Sequence, residues 1–110
     1  MNTLRNKVQL IGNLGNDPEI INLEDGKKIA KFSIATNETY KNAQGDKIEN
    51  TYWHSLIAWN KTAEIVEKYL LKGKEIAIEG KLTNRSYETD EGETKYVTEV
   101  LVNEILMLGR

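Results

Sequence analysis

The sequence contains no cysteine and only one histidine, His54, among its 110 residues. The absence of cysteine excludes disulfide bonds, thiolate chemistry and cysteine-based zinc sites, and it agrees with a reducing, cytoplasmic location. A single histidine excludes histidine-rich metal sites and leaves a catalytic triad only one candidate base. Ser55 follows His54 directly, but neighbouring strand residues point to opposite faces, so they cannot form a nucleophile–base pair.

Long apolar runs and phosphate-binding loops are missing as well. No stretch approaches the length of a membrane span, and residues 1–5 do not resemble the start of a signal peptide, so we expect no membrane partner. No glycine-rich loop ends in Lys-Ser or Lys-Thr. Carboxylates crowd residues 88–93, but without the spacing of a calcium-binding loop. We therefore expect no catalytic residue, no metal, no cofactor and no enzymatic activity.

The composition is that of a globular protein, with 39% hydrophobic and 29% charged residues. At this length we expect one domain, spanning residues 1–110, with a small core. The formal net charge is −2. A nucleic-acid binder of this composition therefore needs a local basic surface set against acidic residues elsewhere.

Alternating apolar and polar residues predict several short strands and one helix. Strands are predicted over residues 7–12, 19–23, 28–36, 53–59, 75–82, 85–88 and 94–102. A tight turn is predicted at Asp25-Gly26, and a long polar loop over residues 37–50. The helix is predicted over residues 60–73, with Asn60 or Thr62 capping its start and Gly73 ending it.

About five principal strands with one helix between the third and the fourth predict an all-β fold. Polar hairpins and a mid-strand glycine, Gly80, favour a small barrel, because a glycine permits a sharp bend in a strand. A five-stranded Greek-key barrel with a helix in this position is the OB-fold arrangement.

Both tryptophans lie in one predicted strand. Alternation places Trp53, Ser55, Ile57 and Trp59 on one face, and His54, Leu56 and Ala58 on the other. Two explanations fit this pattern equally well. The indoles either pack in the core, or lie on an open face where they stack on flat ligands such as the bases of a single strand.

Basic residues stand beside the remaining aromatic candidates. Lys41 follows Tyr40, Lys61 follows Trp59, and Arg85 precedes Tyr87. Aromatic rings stack on any base while cations contact phosphates, so this pattern indicates a single-strand groove without sequence preference. We predict that Phe32, Tyr52, Tyr69 and Tyr96 serve packing instead. The rival is a barrel that binds protein or oligosaccharide, with the apolar residues 100–108 as an oligomer contact.

The chain closely resembles the bacterial single-stranded DNA-binding protein family along nearly its whole length. The resemblance rests on an ordered series of stretches: residues 6–8, 12–19, 35–38, 51–54, 63–64, 69–73, 78–82 and 96–100. It implies an OB-fold barrel that coats single-stranded DNA during replication, recombination and repair. It also implies stacking positions at Tyr40, Trp53, Trp59 and Tyr87, and phosphate contacts at Lys61, Lys72, Arg85, Lys7 and Lys41.

The resemblance further implies a homotetramer, because relatives usually pair their first strands around a two-fold axis. By analogy, Asn6, Lys7, Val8 and His54 lie at a subunit interface. Relatives generally end in a flexible acidic tail that recruits replication and repair partners, whereas this sequence stops at Arg110. Two explanations stay open: the protein is a tailless short form, for which recruitment of those partners is not expected, or the sequence is a trimmed part of a longer chain. The runner-up is a primosomal replication protein of the same fold, which is not expected to retain all four stacking positions.

Overall fold

A computed structural model describes residues 5–108 of the chain. It contains six strands and one helix. The elements in chain order are β1 (Val8–Leu14), β2 (Glu19–Asn22), β3 (Lys28–Lys41), β4 (Lys47–Trp59), α1 (Asn60–Tyr69), β5 (Glu75–Glu88) and β6 (Thr94–Met107).

The strands form one sheet in the order β1-β5-β6-β4-β3-β2, and a further pairing of β1 with β3 closes it. The closed barrel therefore has five strands, with the short β2 attached to the outer edge of β3. Neighbours pair antiparallel except β4 and β6, which run parallel where Leu56 lies opposite Val100. The helix connects the third and fourth strands of the barrel. The predicted OB-fold architecture is confirmed.

The core is built by alternate residues of each barrel strand. β3 contributes Ala30, Phe32 and Ile34, all at most 4% exposed. The other strands contribute Leu14, Leu56, Ala58, Ile76, Ile78, Val100 and Val102, and α1 adds Ala63 and Val66. Each fully buried aliphatic side chain stabilises the fold by about 1.5–3 kcal/mol relative to its exposed state. This alternation leaves the other face of each strand to the solvent.

Two long hairpins extend beyond the barrel, and both differ from the sequence prediction. The residues predicted as a long loop are strand, paired continuously to Lys41 opposite Lys47. Only residues 42–46 form the turn, where Oδ1 of Asn42 accepts the backbone N–H groups of Gln44 and Asp46 at 2.9 and 3.0 Å. The prediction of a loop was wrong because this ribbon is largely exposed on both faces, so it shows no apolar alternation.

The second hairpin joins β5 and β6 through the acidic turn predicted at residues 89–93. Two strands were predicted where β5 is one, and the register shifts between Glu79 and Gly80. At Gly80 a Cβ would lie 2.1 Å from the carbonyl oxygen of Leu101, so this close approach requires glycine. The radius of gyration, 16.3 Å, exceeds the roughly 13 Å of a compact chain of this length. The extended hairpins account for the difference.

The start of α1 also differs from the prediction. Trp59 occupies the N-cap position with extended backbone, and no side chain caps the helix, so the predicted capping by Asn60 or Thr62 was wrong. Oδ1 of Asn60 instead accepts the backbone N–H of Lys28 at 3.3 Å. Trp59 is thereby held at the junction of β4 and α1.

The helix ends at Tyr69, four residues before the predicted end at Gly73. Gly73 has a φ of 90°, but it lies in the turn that follows the helix. Its N–H donates to the carbonyl oxygen of Leu14 at 2.8 Å. The left-handed glycine thus ties this turn to β1.

Candidate nucleic-acid interface

None of the four predicted stacking residues belongs to the core. The exposed fraction is 62% for Trp53, 39% for Trp59, 47% for Tyr40 and 45% for Tyr87. The alternative that the tryptophans pack in the core is therefore wrong. Leu56 and Ala58, on the opposite face of β4, are 2% and 0% exposed, as alternation requires.

Trp53 rests against the loop between β1 and β2. A Cβ on Gly15 would lie 2.2 Å from the indole atom Cζ3 and 2.8 Å from Cη2, so any larger residue would clash with the six-membered ring of Trp53. The N–H of Gly15 donates to the carbonyl oxygen of Ser33 at 3.1 Å, which fixes the loop to β3. The loop thus lies against the six-membered ring of the indole, and much of the side chain stays open to solvent.

A groove of about 280 Å³ lies on the outer surface of the barrel, two residues along β4 from Trp53 at Ser55. Ser33 and Ser55, which pair across β3 and β4, form part of its wall. Its other lining residues are Asn16, Glu19, Lys31, Phe32, Leu56, Arg85, Val97 and Glu99. Because Trp53 shares a strand face with Ser55, the indole borders a polar groove that contains both cations and carboxylates.

Arg85 has a fixed partner in this groove. Its Nε donates to Oε1 of Glu99 at 2.8 Å, and the Glu99 side chain is 9% exposed against 47% for Arg85. The guanidinium carbon lies 6.0 Å from the centre of the Tyr87 ring, at the limit of a cation–π contact. Arg85 and Tyr87 therefore form one unit on the outer face of β5.

Tyr40 and Lys41 lie away from the groove, near the tip of the β3–β4 hairpin. Tyr40 pairs with Ile48, five positions along β4 from Trp53, or about 17 Å at the rise of a strand. Alternation also places Tyr40 on the ribbon face opposite to Trp53, the face that carries Tyr52. The structure therefore places Tyr40 and Trp53 on opposite faces of the β3–β4 ribbon.

The predicted phosphate-binding lysines have different surroundings. Lys61 lies exposed in the first turn of α1, two residues after Trp59. Lys72 is also exposed, and its backbone N–H donates to Oδ1 of Asp17 at 2.8 Å. The ammonium group of Lys7 instead forms an ion pair with Glu79 at 3.3 Å. Lys7 does not line the groove.

Lys31 is a groove residue that the search for cations beside aromatics missed. It lies opposite Ile57 on the outer face of the barrel, between the positions paired with the two tryptophans. No aromatic residue within three positions of Lys31 faces outward, so only strand alternation signals its position.

Three of the four aromatic residues predicted to serve packing are exposed. Phe32 is buried at 4% exposure, as predicted. Tyr52, Tyr69 and Tyr96 are 46%, 55% and 79% exposed, so their assignment to packing was wrong. Tyr52 and Tyr96 lie in the hairpins outside the barrel, where no core is available to bury them.

The residues predicted at a subunit interface fall in two places. The Asn6 side chain makes paired hydrogen bonds with the backbone of Leu82, at 3.0 and 3.2 Å, beside the start of β1. Val8 pairs with Gly80 on one edge of β1. Among the described residues, β3 pairs with the other edge only at Asn13 and Leu14. His54 lies in β4, with Nε2 3.0 Å from Oγ1 of Thr36.

An apolar row crosses the outer face of β1, β5 and β6. Ile11 lies opposite Ala77, which lies opposite Leu106, and Ile11 and Leu106 are 60% and 63% exposed. A depression of about 520 Å³ covers this row and the adjacent Glu79 and Glu104, which also pair across strands. This face carries the open edge of β1 at its margin.

Neither metal nor membrane chemistry is evident in the part of the chain that the structure describes. Over residues 5–108, no three histidine, aspartate or glutamate side chains are grouped as metal ligands. The single described helix is too short and too polar to cross a membrane.

Comparison with known proteins identifies a family and a set of similar structures. Residues 5–108 match the single-strand binding protein family. The chain is 44% identical over 105 residues to single-stranded DNA-binding protein 1 of Chlorobaculum tepidum, covering 94% of this chain and 65% of that protein. It is 43% identical over 106 residues to the protein of the same name from Xylella fastidiosa, covering 96% and 78%.

Two solved structures extend the comparison to three dimensions. A Plasmodium falciparum single-strand binding protein in complex with single-stranded DNA matches with a TM-score of 0.86 at 31% identity, over 99% of this chain and all of that one. A deletion mutant of the single-stranded DNA-binding protein from Thermus aquaticus matches with a TM-score of 0.81 at 28% identity, over 94% of this chain and 50% of that one. The chain spans about two thirds of the Chlorobaculum protein's length.

Proposed function

Because the chain belongs to the single-strand binding protein family, we propose that it binds single-stranded DNA without strong sequence preference. The observation that carries this proposal is the exposure of Trp53 on the strand face of a groove that contains the cations Lys31 and Arg85 together with two carboxylates. A large, flat and largely exposed ring is suited to stacking on a base. The protein is proposed to act as a non-catalytic binder in the cytoplasm, serving replication, recombination and repair.

In this mechanism the bases stack on Trp53, Trp59 and Tyr87. Each stacked base contributes about 1–3 kcal/mol, whatever its identity, because every base presents a π-face. Tyr40 provides a fourth stacking position on the β3–β4 hairpin, outside the groove.

The phosphates are proposed to contact the ammonium groups of Lys31, Lys61 and Lys72, with Lys41 beside Tyr40. Lys7 is omitted because Glu79 already neutralises it. With a formal net charge of −2 for the whole chain, these local cations supply the attraction and make it sensitive to salt.

The protein is also proposed to assemble as a homotetramer. The open edge of β1 offers unpaired backbone groups to the same strand of a second copy. The apolar row of Ile11, Ala77 and Leu106 then provides a face on which two dimers pack. Exposed apolar surface of this kind marks a protein contact. His54 is internally hydrogen-bonded to Thr36, and its place in the assembly follows from the family analogy alone.

The test of DNA binding is a tryptophan-fluorescence titration with a long oligothymidylate at low and high salt, repeated with duplex DNA. Stacking predicts strong quenching by the single strand, weaker binding at high salt, and no quenching by the duplex. Trp53→Phe and Trp59→Phe variants assign the quenching to each indole. An absence of both quenching and binding at low salt would disprove the proposal.

The rival proposal of a protein- or sugar-binding barrel, including one of the primosomal type, predicts a different titration. An apolar or sugar partner responds little to salt, whereas phosphate contacts weaken steeply. The retention and exposure of all four aromatic side chains favours the DNA-binding proposal.

A further inference from the structure

The most unusual group in the groove is the carboxylate of Glu99, which is 8% exposed on a surface proposed to receive a polyanion. Its Oε1 accepts from Nε of Arg85 at 2.8 Å. Resting on the proposed function, we propose that Glu99 positions and neutralises Arg85, so that Arg85 acts as a stacking surface for a base and not as a phosphate contact.

The two partners differ in their exposure to solvent, and this difference decides how strongly Glu99 neutralises Arg85. The Glu99 side chain is largely shielded from solvent, so salt screens its effect on the adjacent guanidinium weakly. A phosphate that approaches Arg85 therefore meets a nearly neutral pair. Counterion release depends on mobile ions displaced when cations meet phosphates. Arg85 adds little to this release because its charge is already balanced by a fixed carboxylate.

The guanidinium group of Arg85 lies where it can stack on a base. Nε points to Glu99, and the guanidinium carbon lies 6.0 Å from the centre of the Tyr87 ring. Arg85 and Tyr87 are two residues apart on β5 and therefore share a face. A planar guanidinium stacks on aromatic faces, including those of bases. The hydrogen bond to Glu99 already restricts the Arg85 side chain in the free protein. Binding of a base therefore costs less side-chain conformational entropy.

Lys61 provides a matched contrast to Arg85. Both side chains are proposed to approach the same DNA strand, but none of the salt bridges among the described residues involves Lys61. Replacement of Lys61 by glutamine should therefore reduce counterion release. Replacement of both members of the ion pair, Arg85→Gln together with Glu99→Gln, changes no net charge and should leave counterion release unchanged.

The experiment measures binding of oligothymidylate to the full chain between about 50 and about 200 mM salt, for wild type, Glu99→Gln, Lys61→Gln and the double variant Arg85→Gln/Glu99→Gln. One phosphate contact contributes about 0.7 to the slope of log K against log salt for single strands. Lys61→Gln should make the slope shallower by about this amount. The double variant loses the guanidinium without a change in net charge, so it should lower the affinity several-fold at every salt concentration with an unchanged slope.

Glu99→Gln is the decisive variant, because the amide oxygen of glutamine can still accept from Nε while the charge is removed. Release of Arg85 from neutralisation should steepen the slope by about 0.7, so affinity should fall about 2.6-fold more than in wild type over a four-fold rise in salt. An unchanged slope for Glu99→Gln would overturn the proposal.

The double variant Arg85→Gln/Glu99→Gln keeps the proposal testable if Glu99→Gln alone does not fold, which circular dichroism detects. A shallower slope for the double variant, equal to that of Lys61→Gln, would show that Arg85 contacts phosphate and would refute the inference. Failure of the wild-type chain to bind would refute the proposed function itself. The two failures are therefore distinguishable.

Discussion

At the scale of single residues, the absence of a side chain at Gly15 leaves room for the six-membered ring of Trp53. In Gly15→Ala, the methyl group would occupy the space of the indole, which is free to swing outward because it is largely exposed. We expect about a tenfold loss of affinity for oligothymidylate, within the value of one stacked base. The free energy of unfolding should change by less than about 1 kcal/mol, the scale of a glycine-to-alanine change.

A double-mutant cycle of Gly15→Ala with Trp53→Ala checks this assignment. If the alanine acts through the indole, the two losses of affinity should be strongly non-additive. Full additivity would show that Gly15 affects binding by another route. Thermal denaturation of each variant controls for unfolding.

The strand face on which a side chain lies was predictable from the sequence where apolar and polar residues alternate clearly. The faces of β4 follow directly from the spacing of Trp53, Leu56 and Ala58, yet alternation alone did not decide which face is core. That decision depends on the closure of the barrel, which places Leu56 inside. The pairing of Arg85 with Glu99 was not predictable, because the two residues lie 14 positions apart and meet through the register of β5 and β6.

At the scale of secondary-structure elements, the β3–β4 hairpin carries Tyr40 away from the groove. Tyr40→Ala should weaken binding of a long oligothymidylate, about 35 nucleotides, several-fold, because a long strand can reach the hairpin. It should leave binding of about 6 nucleotides nearly unchanged, since a single OB-fold accommodates about 4–16 nucleotides. Equilibrium titrations with both lengths measure the difference.

Tyr96→Ala is the matched control for Tyr40→Ala. Tyr96 is an exposed tyrosine on the other long hairpin, at 79% exposure, and pairs with Ser86 on the face opposite to Tyr87. It should not affect binding of either length. Equal losses for Tyr40→Ala with short and long strands would contradict a position outside the groove.

The strand boundaries in the two long hairpins were not predicted correctly from the sequence. Residues 37–50 are polar because solvent reaches both faces of the ribbon, so the usual period of two is absent. These residues form paired strands through backbone hydrogen bonds, which do not depend on the type of side chain. The barrel itself was predictable because its strands bury one face, and that burial forces the apolar alternation seen in β3 and β5.

At the scale of the whole molecule, assembly depends on the apolar row of β1, β5 and β6. Leu106→Glu would place a carboxylate among apolar side chains and beside Glu104 on the same face. We expect the proposed tetramer to dissociate to dimers that retain β1 pairing, because burying an unpaired charge costs several kcal/mol. Size-exclusion chromatography with light scattering measures the mass.

Leu71→Glu is the control for this change. Leu71 is exposed to a similar extent, 67% against 63% for Leu106, but lies in the turn after α1. The Leu71→Glu variant should keep the wild-type mass. A tetramer in both variants would show that the apolar row is not the contact, and a monomeric wild type would refute the assembly proposal.

The long hairpins also divide the molecule into regions of different resistance to local opening. The barrel strands share one buried core, so separating any pair of them exposes much apolar surface. The distal β3–β4 ribbon has no such layer beneath it, and its backbone hydrogen bonds are held mainly by its own cross-strand pairs. Such a ribbon opens at a small fraction of the global unfolding free energy. A DNA strand bound across Tyr40 would therefore have to order a ribbon that opens transiently in the free protein. The cost of this ordering would reduce the net free energy of binding.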